Sequence, residues 1–310
     1  MAVKVYIDGQ EGTTGLKILE RFEGRNDIEL LKIDEDKRKD INERKKFINA
    51  SDFTFLCLPD KAAVEAVSLV ENDNVRIIDA STAHRTNPDW AYGFPELSPE
   101  HREKIRTSKR VANPGCYASG FISICYPLVK AGIIPQFYPV FAYATSGYSG
   151  AGKKAIAAYE SNDKPAELLS PRQYALNMNH KHLPEMQKIS GLAYKPMFDN
   201  YYSGMVVSIP LQGRLLQKKY TPEQVREALY ENYRDSNFIE VKPAGSECVP
   251  DGFLTSNGLS GSNKMEIYVF GDSEQMLLCS RLDNLGKGAS GAAVQCLNIM
   301  MGIDETTGLL

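Results

Sequence analysis

Asn113-Pro-Gly-Cys-Tyr117 is the passage of this 310-residue chain best suited to covalent chemistry. It sets one cysteine behind a tight turn and ahead of a segment whose spacing predicts a helix over Ala118–Lys130. The N–H groups of a first helical turn have no intrahelical partner and carry partial positive charge, which favours a thiolate over a thiol. The thiolate is the nucleophilic form, and helix N-termini lower cysteine pKa values. Cys57, inside the apolar run Phe53-Thr-Phe-Leu-Cys-Leu58, has the setting of a structural cysteine instead.

Two of the four histidines stand in Asn179-His-Lys-His-Leu-Pro-Glu185. Pro184 and Glu185 read as a first helical turn, so His180 and His182 lie just upstream of its positive end. That position favours a neutral imidazole, the form a general base requires. The alternative is that both histidines cap or pack at a domain edge. Glu185 aside, no Cys or His pairing completes a ligand set, so no metal is expected. His84 and His101, beside Arg85 and Arg102 in polar loops, read as exposed.

A second chemistry-bearing pattern is Gly9-x-x-Gly12-x-x-Gly15. Glycines between a strand and a helix permit a tight turn and close approach of backbone N–H groups to a pyrophosphate. The spacing differs from G-x-G-x-x-G, so its place between strand and helix is what points to a dinucleotide. Asp34, at the end of the predicted second strand, suits the ribose 2′-hydroxyl of NAD, whereas Lys37 and Arg38 suit the 2′-phosphate of NADP. Taken alone, these residues leave both readings open.

The elements that must position these groups fall into two patterns. Val3–Asp8, Ile28–Ile33, Phe53–Leu58 and Val75–Asp79 are apolar strand candidates. Leu16–Phe22 and Lys61–Val70 between them have helical spacing. Near-continuous apolar strands alternating with helices predict a doubly wound α/β domain of Rossmann type with a parallel sheet. Beyond Cys116, the strand candidates are 139–146, 205–210, 264–270 and 275–282, separated by long irregular stretches. One clear helix spans 221–233, with Thr221 as N-cap and Pro222 at the first position. That pattern predicts an α+β domain with a mixed or antiparallel sheet. A last apolar helix is expected over Ala289–Met301.

Composition narrows the function classes. A formal charge of −3 and a pI near 5.9 give no electrostatic reason to expect nucleic acid. The basic run Lys37-Arg38-Lys39 sits among Asp34, Glu35, Asp36 and Asp40, as in a solvated loop. No apolar stretch approaches the roughly 18 residues of a membrane span. The start, Met-Ala-Val-Lys, leads straight into a core strand, so no signal peptide is expected. Six scattered cysteines without a C-x-x-C pair suit a reducing cytoplasm, with Cys125, Cys279 and Cys296 as buried core thiols.

Seven passages together resemble the shorter N-acetyl-γ-glutamyl-phosphate reductases, within the semialdehyde dehydrogenase superfamily. They begin with Gly12-Thr-Thr-Gly-Leu16, Asp79-Ala-Ser-Thr-Ala-His-Arg85, Gly93-Phe-Pro-Glu-Leu97 and Ala112-Asn-Pro-Gly-Cys-Tyr117. Ser146-Gly-Tyr-Ser-Gly-Ala-Gly-Lys-Lys154, His180-Lys-His-Leu-Pro-Glu185 and Leu282-Asp-Asn-Leu-Gly-Lys-Gly-Ala-Ser-Gly-Ala292 follow in order. The resemblance implies Cys116 as nucleophile and His180 as catalytic base, with His182 and Glu185 as active-site neighbours. It implies NADP(H), hence Lys37 and Arg38 over Asp34, with Gly9, Gly12, Thr13, Thr14, Gly15, Ser81 and Asn284 also on the cofactor. Arg85 is the expected ligand of a substrate phosphate or carboxylate, for which a planar guanidinium is suited. The implied domains are 1–115 with 283–310 for the dinucleotide and 116–282 for catalysis and oligomerisation, in a homodimer or homotetramer. Gln10 and Glu11 depart from the small residues many relatives carry in the glycine loop.

The implied reaction is NADPH-dependent reduction of N-acetyl-L-glutamyl 5-phosphate to the 5-semialdehyde through a cysteine thioester, in arginine biosynthesis. Its nearest rival is the paralogous carrier-linked aminoadipyl-phosphate reductase of lysine biosynthesis, which differs by one methylene and the carrier. Aspartate-semialdehyde dehydrogenase shares the chemistry, but the His-x-His-x-Pro-Glu passage speaks against it. A catalytically silent dinucleotide sensor would keep the glycine loop and would not need Cys116 and His180 together.

Overall fold

The computed structural model describes residues 2–170, 172–177, 179–192 and 198–310, with backbone alone for 198–201. The chain divides into two compact units. One comprises Met1–Pro95, Pro99–Gly115 and Ala289–Leu310, and the other Glu96–Ser98 and Cys116–Gly288.

The first unit runs β1 (Val3–Asp8), α1 (Thr13–Phe22), β2 (Ile28–Leu31), α2 (Ile41–Ala50), β3 (Phe53–Leu56), α3 (Asp60–Ser68), β4 (Arg76–Asp79), β5 (Ala91–Tyr92), α4 (Pro99–Thr107) and β6 (Arg110–Ala112). All six strands are parallel, in the order β2-β1-β3-β4-β6-β5. β3 is buried throughout and β1 over its last four residues, as a sheet covered on both faces requires. Because β1 lies between β2 and β3, the chain reverses its direction of travel across the sheet there. Open α/β sheets bind ligands at such a switch point, beyond the carboxyl ends of the strands. This is the Rossmann-type fold that the alternation of apolar strands and helices predicts.

Helix α2 has no counterpart in the sequence expectations. Ile41–Ala50 is strongly charged and buries only Arg44 and Ile48, so its apolar stripe is thin. Asp40 starts it by accepting the N–H groups of Asn42 and Glu43. Arg44 is buried because its guanidinium meets the buried Asp8 carboxylate at 3.0 Å and Glu65 at 2.7 Å. His84 also departs from expectation, since it is buried rather than exposed. Its Nδ1 lies 2.6 Å from Asp79 Oδ2 and its ring stacks on Trp90 at 4.1 Å. A fully buried carboxylate such as Asp79 needs close polar partners, and the loop folds inward to supply them.

The second unit contains α5 (Cys116–Lys130), β7 (Tyr143–Gly147), α6 (Lys153–Glu160), α7 (Leu183–Ser190), β8 (Phe198–Tyr201), β9 (Met205–Gln212), α8 (Pro222–Tyr233), β10 (Ile239–Val241), β11 (Met265–Gly271) and β12 (Gln275–Leu282). Its sheet has the order β10-β11-β12-β9-β7-β8. The four inner strands are antiparallel, while β10 and β8 join the edges in parallel. Helix α8 opens with a reciprocal capping box: Thr221 Oγ1 accepts Gln224 N–H at 3.3 Å, and Gln224 Oε1 accepts Thr221 N–H at 3.0 Å. Helix α5 packs on β9 and β12 and against α7 and α8. Gly120 allows this, because a Cβ there would come within 2.5 Å of Val207 Cγ2.

After β12 the chain makes a π-helical turn, Gly286–Ser290, and returns to the first unit as α9 (Gly291–Met301). The boundary expected at 283 falls instead at Ala289. Asp283 accepts the N–H groups of Gly261 and Gly286, and Asn284 and Lys287 bond to other groups of the second unit. Helix α9 is buried from Gly291 to Met300 and packs on α1, α4 and β4. Its buried amides are satisfied: Gln295 donates to Glu305 at 2.7 Å and Asn298 to Thr307 O at 2.9 Å. Among the described residues, no helix is long and apolar enough to cross a membrane.

Candidate active site

In the first unit, β1 delivers the chain to a loop that only glycines can make. Gly9 has φ +86°, and a Cβ there would lie 2.4 Å from Cys57 O at the end of β3. A Cβ at Gly15 would lie 2.7 Å from both Gln10 Cα and Gly9 O, so the first turn of α1 rests directly on the loop. Gly12 N–H closes the turn on Gly9 O at 3.0 Å, and Leu16 N–H is the donor that first reaches back, to Gly12 O at 2.9 Å. The N–H groups of Thr13, Thr14 and Gly15 precede that ladder, so they have no acceptor within the helix. Backbone donors at a positive helix end, beside the switch point, fit the pyrophosphate of a dinucleotide.

Two cations, Lys37 and Arg38, stand after β2. Arg38 pairs with Glu11 and lies 3.7 Å from Glu35, while Lys37 lies 3.5 Å from Asp34. These groups are well exposed, and exposed pairs hold by about 1 kcal/mol or less, so a phosphate can displace the carboxylates. Ser81 is tied to Asp79, its N–H at 2.9 Å and its hydroxyl at 2.7 Å. Arg85 is buried, with Nε donating to Asn113 O at 2.9 Å and Nη2 to Ala80 O at 3.1 Å. Through these two bonds its guanidinium braces the backbone on either side of it, at Ala80 and Asn113.

In the second unit, α5 begins at Cys116 itself, two residues earlier than its expected start at Ala118, which puts the half-buried thiol in the first turn. Gly288 packs against it: a Cβ at 288 would meet Cys116 Cβ at 2.7 Å. Tyr117 is buried next to it and accepts a hydrogen bond from Tyr174 Oη at 2.9 Å, with Ser146 as a further partner. Burial first, then each other's proximity and that of Cys116, holds the Tyr117 hydroxyl far above the usual phenol range. Tyr174 is raised as well, mainly by burial. Both are therefore neutral donors at working pH.

The histidines close on these phenols. His180 stands edge-on to Tyr117, with centroids 5.6 Å apart at 89°, and 6.0 Å from Tyr174. His182 is buried at the N-cap of α7, 4.6 Å from the His180 ring. Its backbone N–H donates to His180 Nδ1 at 3.2 Å. An acceptor Nδ1 puts the proton of the neutral ring on Nε2. Glu185 lies buried in the first turn of α7.

Three other thiols are held in the protonated form by their surroundings. Burial, with Asp79 and Asp8 adding to it, pushes Cys57 up to about 12. Burial raises Cys125, and lifts Cys279 to about 11 against its hydrogen bond with Ser208. Asn284 is buried, accepting Gly204 N–H at 2.8 Å and donating to Ser149 Oγ at 3.0 Å, so its amide ties the second unit together. Tyr117, Tyr174, Ser146 and Gly288 carry no expectation of their own from the sequence. Adjacency to Cys116 was the available signal for Tyr117, whereas Tyr174 sits in a stretch without periodicity.

Two family descriptions match this chain: the semialdehyde dehydrogenase NAD-binding domain over residues 4–105 and the semialdehyde dehydrogenase dimerisation domain over 116–284. The chain is 45% identical to N-acetyl-gamma-glutamyl-phosphate reductase 2 of a Nostoc species, over 99% of each chain. It is 47% identical to the N-acetyl-gamma-glutamyl-phosphate reductase of Burkholderia lata, over 96% of each. Among solved structures it is similar to aspartate semialdehyde dehydrogenase II from Vibrio cholerae, with a TM-score of 0.73 over 97% of this chain and 99% of the other. At 17% identity, that likeness speaks for the fold alone.

Proposed function

Given that this chain belongs to the N-acetyl-γ-glutamyl-phosphate reductases of the semialdehyde dehydrogenase superfamily, we propose that Cys116 and His180 are the residues that carry its reaction. The chain is an NADP-dependent oxidoreductase of arginine biosynthesis, reducing N-acetyl-L-glutamyl 5-phosphate to the 5-semialdehyde with release of phosphate. The aminoadipyl alternative is not favoured, since near-full-length relatives at 45–47% identity carry the acetylglutamyl name. The observation that carries the assignment of residues is the cluster at the start of α5. One half-buried thiol at a helix N-terminus is followed directly by Tyr117, a neutral phenol that meets Tyr174 and both rings of a histidine pair.

The Cys116 thiolate attacks the acyl carbon, the carbon–oxygen bond to phosphate breaks, and a thioester remains on Sγ. Covalent capture divides one difficult step into two easier ones. When bound, NADPH supplies hydride to the thioester carbonyl. His180 has its Nε2–H left as the donor for the developing oxyanion, and a preorganised donor there lowers the barrier. Collapse breaks the carbon–sulfur bond, freeing the aldehyde and restoring the thiolate. For His180 to take the initial thiol proton, Nδ1 must give up the His182 N–H, so the helix end bears much of the work of ionising Cys116. Tyr117 and Tyr174, held protonated, fix the orientation of His180.

We assign the cofactor to the backbone of Gly9, Gly12, Thr13, Thr14 and Gly15, with Lys37 and Arg38 on the 2′-phosphate. Ser81, Arg85 and Asn284 act behind that surface by holding backbone in place. The second unit, matched by a dimerisation domain, assembles the chain into a homodimer or homotetramer. Its six free cysteines suit a reducing cytoplasm. The direct test is phosphate-dependent NADP⁺ reduction with N-acetylglutamate 5-semialdehyde beside its aminoadipate homologue. One methylene in a fitted pocket is worth about 10–200-fold. Preference for the longer aldehyde would overturn the substrate assignment.

A further inference from the structure

Two motif passages without a chemical role meet in the second unit. Gly93-Phe-Pro-Glu-Leu97 places Glu96 on a short 3-10 turn, and Leu282–Ala292 places Lys287 in the π-helical turn Gly286–Ser290. Lys287 Nζ lies 2.6 Å from Glu96 Oε1, with side chains only 2% and 6% exposed. The ammonium also sits 5.4 Å from the Phe238 ring centroid, and Asn232 of α8 donates to Glu96 O at 3.4 Å. Placing two charges out of water costs several kcal/mol each unless geometry is good. A pair kept at that cost by residues 191 apart in sequence has a conformational task.

The task is read from the next residue. Gly288 lies against the nucleophile so closely that a Cβ would meet Cys116 Cβ at 2.7 Å and Cα at 3.2 Å. The turn is held at its start by Asp283, whose Oδ1 accepts Gly286 N–H at 2.6 Å and whose backbone O accepts Gly288 N–H at 2.9 Å. The ion pair holds it in the middle. A π-turn is uncommon and departs from the helix that follows it, so it needs such restraints. We propose that Glu96 and Lys287 are positioning residues for Cys116, fixing the Gly288 backbone as the wall that sets where Sγ points. This rests on Cys116 being the nucleophile. It adds that nucleophile placement depends on a buried charge pair outside the reacting cluster.

The experiment combines Lys287→Met, Glu96→Gln, the double variant Glu96→Leu/Lys287→Met, and Gly288→Ala. Replacing a buried ion pair by apolar residues is often neutral or stabilising, so the double variant keeps the fold where a single one fails. Each folded variant is measured for kcat, NADPH affinity by calorimetry, and iodoacetamide labelling rate of Cys116 against pH. The expected result for the double variant and Gly288→Ala is a kcat loss of about 10²-fold, the effect of a misplacement near 1 Å. NADPH affinity stays within about threefold, and the labelling profile departs from wild type. Lys287→Arg recovers part of the loss. A double variant with wild-type kcat and labelling profile overturns the proposal, leaving the pair a stabilising contact. A Cys116→Ser protein that still turns over would instead overturn the nucleophile assignment, so the two failures are told apart.

Discussion

The chain uses a helix N-terminus twice, and the two uses differ. At α1 the turn before the helix begins and ends on glycine, side chains are absent where backbone approaches backbone, and the helix has no side-chain cap. At α5 the first turn carries Cys116 and Tyr117, overlaid by Tyr174, His180 and the Gly288 backbone. The same partial positive charge serves both. In the function we propose, leaving it bare gives a seat for a ligand's phosphate, and covering it with a thiol and neutral donors gives a nucleophile. Local electrostatics is therefore common to the two regions, and the surrounding side chains decide between binding and reaction.

The comparison breaks most severely if Cys116 proves dispensable. Cys116→Ser is expected to reduce turnover to background while NADPH affinity, measured by calorimetry, stays within a few-fold, because a serine alkoxide is scarcely populated. Next in size, His180→Asn should slow the reaction by about 10²–10⁴-fold, the usual contribution of acid–base catalysis. An unchanged pH–rate profile in that variant would move the role to His182.

Changes at α1 should act on binding instead. Gly9→Ala forces a Cβ into Cys57 O at positive φ, a strain of about 1–3 kcal/mol. Thermal denaturation should register that loss, and NADPH and NADH should weaken by a common factor. The smallest effect belongs to Arg38→Ala: about tenfold weaker NADPH with NADH unchanged, consistent with a charge-assisted bond of about 1.5 kcal/mol. Equal weakening of both cofactors would remove Arg38 from the 2′-phosphate.

Legibility in sequence followed the range of the forces involved. Strands β1 and β12 match their expected limits, since apolar runs ended by glycine or charge are local signals. The α8 cap was equally visible, being contained within four residues. Helix α2 was hidden by its charge, as only Arg44 and Ile48 face inward. Edge strands β8 and β10 are too short to show alternation. Burial of His84 depended on Asp79 needing a partner, which a polar loop sequence does not announce.

By itself the sequence determined where residues of the right type for chemistry stand: one cysteine at a helix start, a histidine pair before another, and a glycine turn after a strand. Those are properties of neighbours along the chain, fixed by backbone geometry and helix ends. Only the tertiary structure decided what surrounds each of them. It set the Tyr174 hydroxyl on Tyr117, the His182 N–H on His180 Nδ1, Gly288 against Cys116, and Lys287 on Glu96. Such contacts join distant segments through packing and desolvation, and their energies exist only once the core has closed around them.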